Sequence, residues 1–150
     1  MPILPLIQLT DAVSLGRYLL MVGGGPVSWS SRKQKGTTAL STTEAEYLAM
    51  GAAVQDIIWL RRLLADLGEV QHSPTQLFVD NQAAISIAQS GRVGHNRQKH
   101  IDIKHHFVKG VIAEGTVALQ YVNSSNNLAD PFTKGLPKDA HTRHTGIFMV

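Results

Sequence analysis

Three acidic residues stand at positions where a carboxylate can do chemistry. Glu46 begins an apolar stripe with helical spacing, so it lies on the face of a helix that packs against a core. Asp80 ends a short apolar run, and Asp130 lies in the first turn of a predicted helix. Because an ionised carboxylate is unfavourable to bury without a partner, these positions together predict acids that converge on one edge of a sheet.

Such a cluster of oxygen ligands suits Mg²⁺ or Mn²⁺ rather than zinc. A carboxylate site that binds two of these ions is the apparatus of phosphodiester hydrolysis, in which one ion activates water and the other stabilises the leaving oxygen. Each acid also has a simpler explanation. Glu46 can stay hydrated at the rim of the core, Asp80 can cap the next helix, and Asp130 can favour a helix N-terminus electrostatically.

A long helix must position Glu46. Ser41 and Glu44 fit a capping box, which assigns Glu44 to the helix start and leaves Glu46 on the buried face. Gly68 supplies a C-terminal stop. The apolar stripe that continues from Glu46 consists of Ala49, Met50, Ala53, Ile57, Leu60, Leu64 and Leu67.

The remaining elements follow from alternating or continuous apolar segments and a glycine turn. Strands are predicted at 3–10, 18–22, 27–30, 76–79 and 116–122. Shorter helices are predicted at 83–90, 99–113 and 128–134. Three strands before the long helix, with strands and helices alternating after it, predict an α/β fold with a mixed sheet flanked by helices.

The composition is that of a globular domain. The 150 residues include no cysteine, which excludes disulfides and thiolate metal sites, and 43% are hydrophobic, enough for one core. The formal net charge of +3 permits a polyanionic partner. The apolar start is interrupted by Pro2 and Pro5 and carries no Lys or Arg, so we expect neither a signal peptide nor a membrane span.

Six segments carry a specific resemblance to a known family. They read GGGPVSWSSRKQ (23–34), ALSTTEAEYLAM (39–50), IIWLRRLLADLG (57–68), FVDNQAAISIA (78–88), RQKHIDIKHHFV (97–108) and LQYVNSSNNLADPFTKGLP (119–137). In this order they resemble the ribonuclease H domain at the end of copia-type LTR retrotransposon Pol polyproteins. The resemblance covers nearly all of residues 16–137.

The resemblance implies a ribonuclease H-like fold over residues 1–137, with a mixed five-stranded sheet whose first three strands are antiparallel. A C-terminal tail at 138–150 has a pattern that allows a helix. The implied activity is that of an endonuclease, a hydrolase that uses two Mg²⁺ ions, or Mn²⁺ in their place, to cleave the RNA strand of an RNA–DNA hybrid. Besides the hybrid, the implied partner is the reverse transcriptase portion of the parent polyprotein. The implied location is intracellular, in the cytoplasm, a virus-like particle or the nucleus.

The resemblance also implies which acids bind the metal ions. Glu46 in EYLA matches the helix acid of the family pattern, whereas Glu44 does not. Asp80 in FVDN and Asp130 in NNLAD match the next two acids. The first acid of the pattern belongs on the first strand, where Asp11 in LTDA is the best counterpart.

The surroundings of Asp11 leave two interpretations open. The Asp-Trp pair that follows in the family pattern is missing, and only six residues separate Asp11 from Tyr18. A tight hairpin can still place Asp11 opposite Glu46 in an active enzyme. Alternatively, Asp11 is an ordinary turn residue. The chain is then a catalytically inactive remnant of the fold, with at most weak nucleic-acid binding.

Six further polar residues are candidates for nucleic-acid binding. Two threonines can reach the 2′-hydroxyl of RNA, although they also suit the start of a helix. A basic region can hold phosphates or simply form a solvated face. The candidates are Thr42 and Thr43 before Glu46, Asn81 after Asp80, and Arg97, Lys99 and Lys104 in the basic region.

Other cationic and imidazole side chains are assigned to the scaffold or the surface. His100, His105 and His106 lack the spacing of four residues with which two histidines on a helix bind zinc, so we expect structural or surface roles for them. Arg61 and Arg62 lie off the apolar stripe of the long helix, and we expect both to be exposed.

Overall fold

A computed structural model describes residues 6–9, 15–33, 42–90 and 99–128, together with residues 138, 139, 142 and 146. The order of strands and helices agrees with the predicted order as far as the fifth strand. The predicted helix at 128–134 lies, except for its first residue, outside the described residues. The elements are β1 (Leu6–Leu9), β2 (Leu15–Val22), β3 (Gly25–Lys33), α1 (Thr42–Asp66), β4 (Thr75–Val79), α2 (Gln82–Ser90), α3 (Lys99–Ala113), β5 (Val117–Tyr121) and a 3₁₀ turn at Ser124–Asn126.

The strands form a mixed sheet in the order β3-β2-β1-β4-β5. β1, β2 and β3 pair antiparallel, whereas β1 pairs parallel with β4 and β4 pairs parallel with β5. The mixed α/β class and the antiparallel arrangement of the first three strands are therefore confirmed. Because β3, β1 and β4 all run in one direction, their carboxyl ends lie at the same edge of the sheet. We call it the carboxyl edge.

The β2–β3 hairpin is closed by two glycines. Gly23 and Gly24 have φ angles of 61° and 84°, and both positions of a two-residue type I′ turn require a positive φ. Side chains other than glycine rarely adopt this backbone conformation, which explains the predicted glycine turn. The register shifts between Leu20 and Met21, so that Met21 pairs with Pro26. This irregularity increases the local twist of the hairpin.

Apolar side chains cover both faces of the sheet. Alternation along β2 places Leu20 in the main core beneath α1, and places its neighbours Leu19 and Met21 on the opposite face with Leu128. The main core combines one face of the sheet with all three helices. Its buried members include Tyr47, Met50, Ala53, Ile57, Leu64, Leu77, Val79, Ala84, Ala88, Val108 and Val117.

The stripe of α1 is buried as predicted, with one exception. Ala49, Met50, Ala53, Ile57, Leu60 and Leu64 are buried, whereas Leu67 is 70% exposed. The helix ends at Asp66, and Gly68 has a positive φ of 87°. Leu67 therefore belongs to the terminal turn and no longer follows the helical period.

Candidate functional site

Glu46 lies in the second turn of α1 and is only 3% exposed. Both of its carboxylate oxygens are inaccessible to solvent. The prediction that Glu46 lies on the buried face of the long helix is confirmed, and its alternative, a hydrated position at the rim, is wrong, but the buried part of the helix already begins at Glu44. Glu44 is 8% exposed, so burial alone does not distinguish the two glutamates.

The first part of α1 is enclosed on all sides, which explains why Glu44 is buried as well. Every residue from 44 to 51 is buried, although a helix on a protein surface normally exposes one side. The apolar stripe alone does not predict this enclosure, because part of it comes from α3, whose His105 stacks on Tyr47 and whose Lys104 and Val108 lie beside Gly51. The predicted partner of Glu44 in the capping box, Ser41, lies outside the described residues.

Asp80 directly follows β4, the central parallel strand of the sheet. Both of its carboxylate oxygens are buried, and neither has a hydrogen-bond partner among the described residues. The alternative function of Asp80 as a helix cap is performed by its neighbour, because Asn81 Oδ1 accepts a hydrogen bond of 3.1 Å from Ala84 N at the start of α2. Capping therefore does not account for the buried carboxylate of Asp80.

The chain path brings Glu46 towards the same edge of the sheet as Asp80. Arg61 of α1 donates a hydrogen bond to Thr75 at the start of β4, so this part of α1 lies at the opposite edge. Glu46 precedes Arg61 by 15 residues, about 22 Å of helix. Asp80 follows Thr75 by five residues, about 17 Å of strand. Tyr18 within β2 contacts Asp56, and Val22 at the end of β2 lies near Leu64. α1 thus runs with β2 and opposite to β4. Both acids therefore lie towards the carboxyl edge.

The other two predicted metal ligands, Asp11 and Asp130, lie outside the described residues. Their described neighbours belong to the scaffold of the sheet. β1 ends at Leu9 beside the end of β4, and Leu128 packs on Leu19 of β2. Among the residues that the structure describes, no three histidine, aspartate or glutamate side chains are close enough to share a metal ion. Described residues thus supply two of the four predicted ligands.

A divalent cation suits the two described acids. A buried carboxylate without a hydrogen-bond partner is rare in folded proteins, since its desolvation is not compensated. Among the described residues Asp80 is such a carboxylate, and its hard oxygens are the ligands that Mg²⁺ prefers. Glu46 and Asp80 are therefore the described residues that would hold a metal ion at this edge.

Contacts between the three helices fix the start of α1. The rings of Tyr47 and His105 stack with their centroids 5.6 Å apart, and the Tyr47 hydroxyl donates a hydrogen bond of 3.4 Å to the carbonyl oxygen of His105. His105 is buried, and its Nε2–H donates to the carbonyl oxygen of Ile87 in α2 at 3.1 Å. The expectation of structural or surface roles is confirmed for these two histidines, since His105 has a structural role and His106 is exposed.

The predicted nucleic-acid-binding residues are only partly described. Thr43 is half-buried in the first turn of α1, and Lys104 is half-buried on α3. The stem of Lys104 passes over Gly51 of α1, where a Cβ atom would lie 3.7 Å from Lys104 Cδ. Arg97 and the side chains of Thr42 and Lys99 lie outside the described residues, so binding by all six candidates stays a prediction.

The expectation that Arg61 is exposed is wrong. Its guanidinium donates hydrogen bonds to the carbonyl oxygens of Gln71 at 2.6 Å and Ser73 at 2.9 Å, and to Thr75 Oγ1 at 2.8 Å. Burial lowers the pKa of Arg61 from its usual value by desolvation. Arg61 therefore fastens the connection between α1 and β4, whereas only Arg62 is exposed as expected.

The chain is similar to short regions of retrovirus-related Pol polyproteins from transposons. It is 34% identical over 143 residues to that of transposon RE2 and 36% identical over 130 residues to that of RE1, both from Arabidopsis thaliana. It is 35% identical over 122 residues to that of transposon TNT 1-94 from Nicotiana tabacum. These alignments cover 93%, 87% and 81% of the chain, but only 10%, 9% and 9% of the relatives.

This homology supports the assignment of the chain to a fragment of a retrotransposon Pol polyprotein. No protein-family model matches the chain. Among the described residues, no helix is both long and apolar enough to cross a membrane.

Proposed function

We propose that the chain is the ribonuclease H domain of a copia-type retrotransposon Pol polyprotein, which hydrolyses the RNA strand of RNA–DNA hybrids. The buried carboxylate of Asp80, without a hydrogen-bond partner among the described residues, is the observation that carries this proposal. The homology to transposon Pol polyproteins and the strand order of the mixed sheet, which fits the ribonuclease H-like fold, support it further.

Four acids would hold two Mg²⁺ ions in this proposal, or Mn²⁺ in their place. Glu46 and Asp80 are the described ligands, and Asp11 and Asp130 are the ligands that the sequence resemblance implies. When bound, such ions supply an activated water and stabilise the leaving oxygen of the RNA phosphodiester.

The protein contributes rigid positions for the acids. Asp80 is fixed at the end of a central strand, and Glu46 is enclosed in a helix that His105 and Tyr47 fasten to α2 and α3. Side chains held in this way lose little conformational freedom when they bind a cation. Burial of their oxygens also strengthens electrostatic interactions with whatever they bind.

Contacts with the hybrid would come from residues around the carboxyl edge. Thr43, in the turn of α1 before Glu46, can hydrogen-bond to a 2′-hydroxyl, the group that distinguishes RNA from DNA. Lys104 can hold a phosphate and contributes binding that does not depend on sequence. In the complete polyprotein the domain would act beside the reverse transcriptase portion, inside the cell.

A catalytically inactive remnant is the second candidate, favoured by the altered segment around Asp11. β1 ends at Leu9 and β2 begins at Leu15, so only five residues join these paired strands. Asp11 lies in this connection, outside the described residues. If the segment supplies no ligand, the other acids repel one another without the ions that they would share.

Cleavage of a labelled RNA–DNA hybrid in Mg²⁺ or Mn²⁺ tests the proposal. Loss of a partner that only orients a ligand costs about 10–100-fold, so Asp80→Asn and Glu46→Gln should each reduce cleavage by more than about 100-fold. Glu44→Gln is the matched control, since Glu44 is buried in the same helix but is not a predicted ligand.

A further variant, Asp11→Asn, tests whether Asp11 is the first of the four metal ligands. Loss of cleavage in Asp11→Asn would identify Asp11 as the first acid, whereas retained cleavage would exclude Asp11 from the site. A wild-type protein that is folded by circular dichroism, yet cleaves no hybrid with either ion, would contradict the proposed activity and favour the inactive remnant.

A further inference from the structure

An apolar groove of about 300 Å³ lies between the β2–β3 hairpin and α1, a volume in the range of ligand sites. Core residues Leu60 and Leu64 line it together with Val27, Trp59 and Leu63, which are all exposed. Trp59 is 61% exposed, although tryptophan is the side chain with the most apolar surface to bury. Contiguous apolar surface of this kind marks a site of interaction.

A carboxylate lies at one end of the groove. Asp56 lines both the apolar groove and a second, more polar pocket, and its carboxylate accepts a hydrogen bond from the Tyr18 hydroxyl. Gln55 and Trp29, which is 62% exposed, line the second pocket. The two cavities share Ser28 and Asp56, so they form one continuous surface, which we call the hairpin groove.

The hairpin groove has the chemistry of a site for a polypeptide with a basic residue. A carboxylate accepts several hydrogen bonds, so Asp56 can take a donor in addition to Tyr18. An arginine next to Asp56 would also gain from the exposed face of Trp29 or Trp59. No lysine or arginine is among the described residues that line the two cavities, so there a phosphate would meet a carboxylate and apolar side chains. The described lining therefore favours a basic side chain over a phosphate.

We propose that the hairpin groove binds a segment of the remaining Pol polyprotein, with apolar side chains around one arginine. The relatives contain the region that matches this chain within a polypeptide about ten times as long, which provides such a segment in the same molecule. The negative charge of Asp56 favours a basic residue in the bound segment, and the apolar lining of the groove favours apolar residues on either side of it. This proposal does not depend on hydrolytic activity, so it applies to an inactive domain as well.

Binding in solution tests the proposal. The probe is the Pol polyprotein of transposon RE1 with the region that matches this chain deleted, titrated into the fluorescently labelled 150-residue chain. We expect saturable binding, which Trp59→Asp and Asp56→Asn each weaken by at least about 10-fold. Leu67→Asp is the control, because Leu67 is exposed but does not line the groove, and its binding should stay within about 2-fold.

Several results would overturn the proposal. One is no binding by the wild-type chain, and another is equal binding by all four proteins. A third is that the chain self-associates and that Trp59→Asp abolishes this self-association. The hairpin groove would then bind a second copy of the chain. A fourth is RNA–DNA hybrid binding that Trp59→Asp weakens. Trp59 is largely exposed, so this variant stays informative if Asp56→Asn, which loses an acceptor of Tyr18, does not fold.

Discussion

The charged side chains at the two ends of β4 differ in their hydrogen-bond partners. At the start of the strand, the Arg61 guanidinium of α1 donates hydrogen bonds to two loop carbonyl oxygens and to the Thr75 hydroxyl. At the end of the strand, the two carboxylate oxygens of Asp80 are buried and have no hydrogen-bond partner among the described residues. The charge at the first end has its hydrogen-bond partners within the protein, whereas the carboxylate at the second end has none among the described residues.

This difference separates a structural charge from a functional one. A buried charge with its partners in place contributes to stability, whereas a buried charge without partners reduces stability unless something outside the chain compensates it. Arg61 therefore belongs to the scaffold. Asp80, whose buried oxygens have no hydrogen-bond partner among the described residues, has the property that the proposed function requires of a metal ligand.

The largest effect is expected at a buried polar side chain near the start of α1 that does have a partner. His105→Ala removes the hydrogen bond to Ile87 and the stacked ring against Tyr47, so the free energy of unfolding should fall by about 3 kcal/mol. Urea denaturation measures this change. His106→Ala, at the exposed neighbouring position, should change it by less than about 0.5 kcal/mol. Equal effects of both variants would contradict the structural role of His105.

A smaller loss is expected at the satisfied end of β4. Arg61→Ala removes three hydrogen bonds, but water can replace the donor at the exposed loop carbonyls, so we expect a loss of about 2 kcal/mol in unfolding free energy. Arg62→Ala is the matched control on the exposed side of the helix. If the Arg61→Ala protein is as stable as the wild type, the hydrogen bonds of Arg61 do not stabilise the start of β4, which would contradict the comparison with Asp80.

A change of opposite sign is expected at the unsatisfied end. Asp80→Asn keeps the size of the side chain and removes the buried charge, so without divalent ions the free energy of unfolding should rise by about 1 kcal/mol. Denaturation in the presence of a chelator measures it. A loss of more than about 1 kcal/mol would show that the carboxylate makes a stabilising interaction in the free protein.

The smallest effect is expected at Gly51, where the substitution adds one methyl group and removes no hydrogen bond. A Cβ at Gly51 would lie 3.7 Å from Lys104 Cδ and 3.9 Å from Val108 Cγ2, which are ordinary contact distances. Gly51→Ala should therefore raise the free energy of unfolding by about 0.5 kcal/mol, since glycine is unfavourable within a helix. A decrease in the same denaturation experiment would mean that α1 and α3 are packed too closely for a methyl group.

The sequence predicted the features that depend on local spacing. The helical period of the apolar residues placed Glu46 on a buried face. The boundary between an apolar run and a helix identified Asp80 as an acid at the end of a strand. Both signals lie within a few residues of the acid itself. The glycine turn at Gly23 and Gly24 was also accessible in this way, whereas the spacing of His105 left a structural and a surface role open.

Features that depend on contacts between distant segments were not predictable. The acceptors of Arg61 lie 10 to 14 residues away, and two of them are backbone oxygens, which no residue type reveals. The hairpin groove arises only when β2 and β3 pack beside Trp59 of α1. Leu67 continued the apolar period, but the helix ends one residue earlier.

Stabilisation by Mg²⁺ tests the central claim about Asp80 most directly. Denaturation of the wild-type chain and of Asp80→Asn is compared with and without the ion. For one site, an ion at 100 times its dissociation constant raises the free energy of unfolding by about 2.7 kcal/mol. We predict a stabilisation of at least this size in the wild type and almost none in Asp80→Asn. Equal stabilisation of both proteins, or none in the wild type, would contradict a metal site at the end of β4.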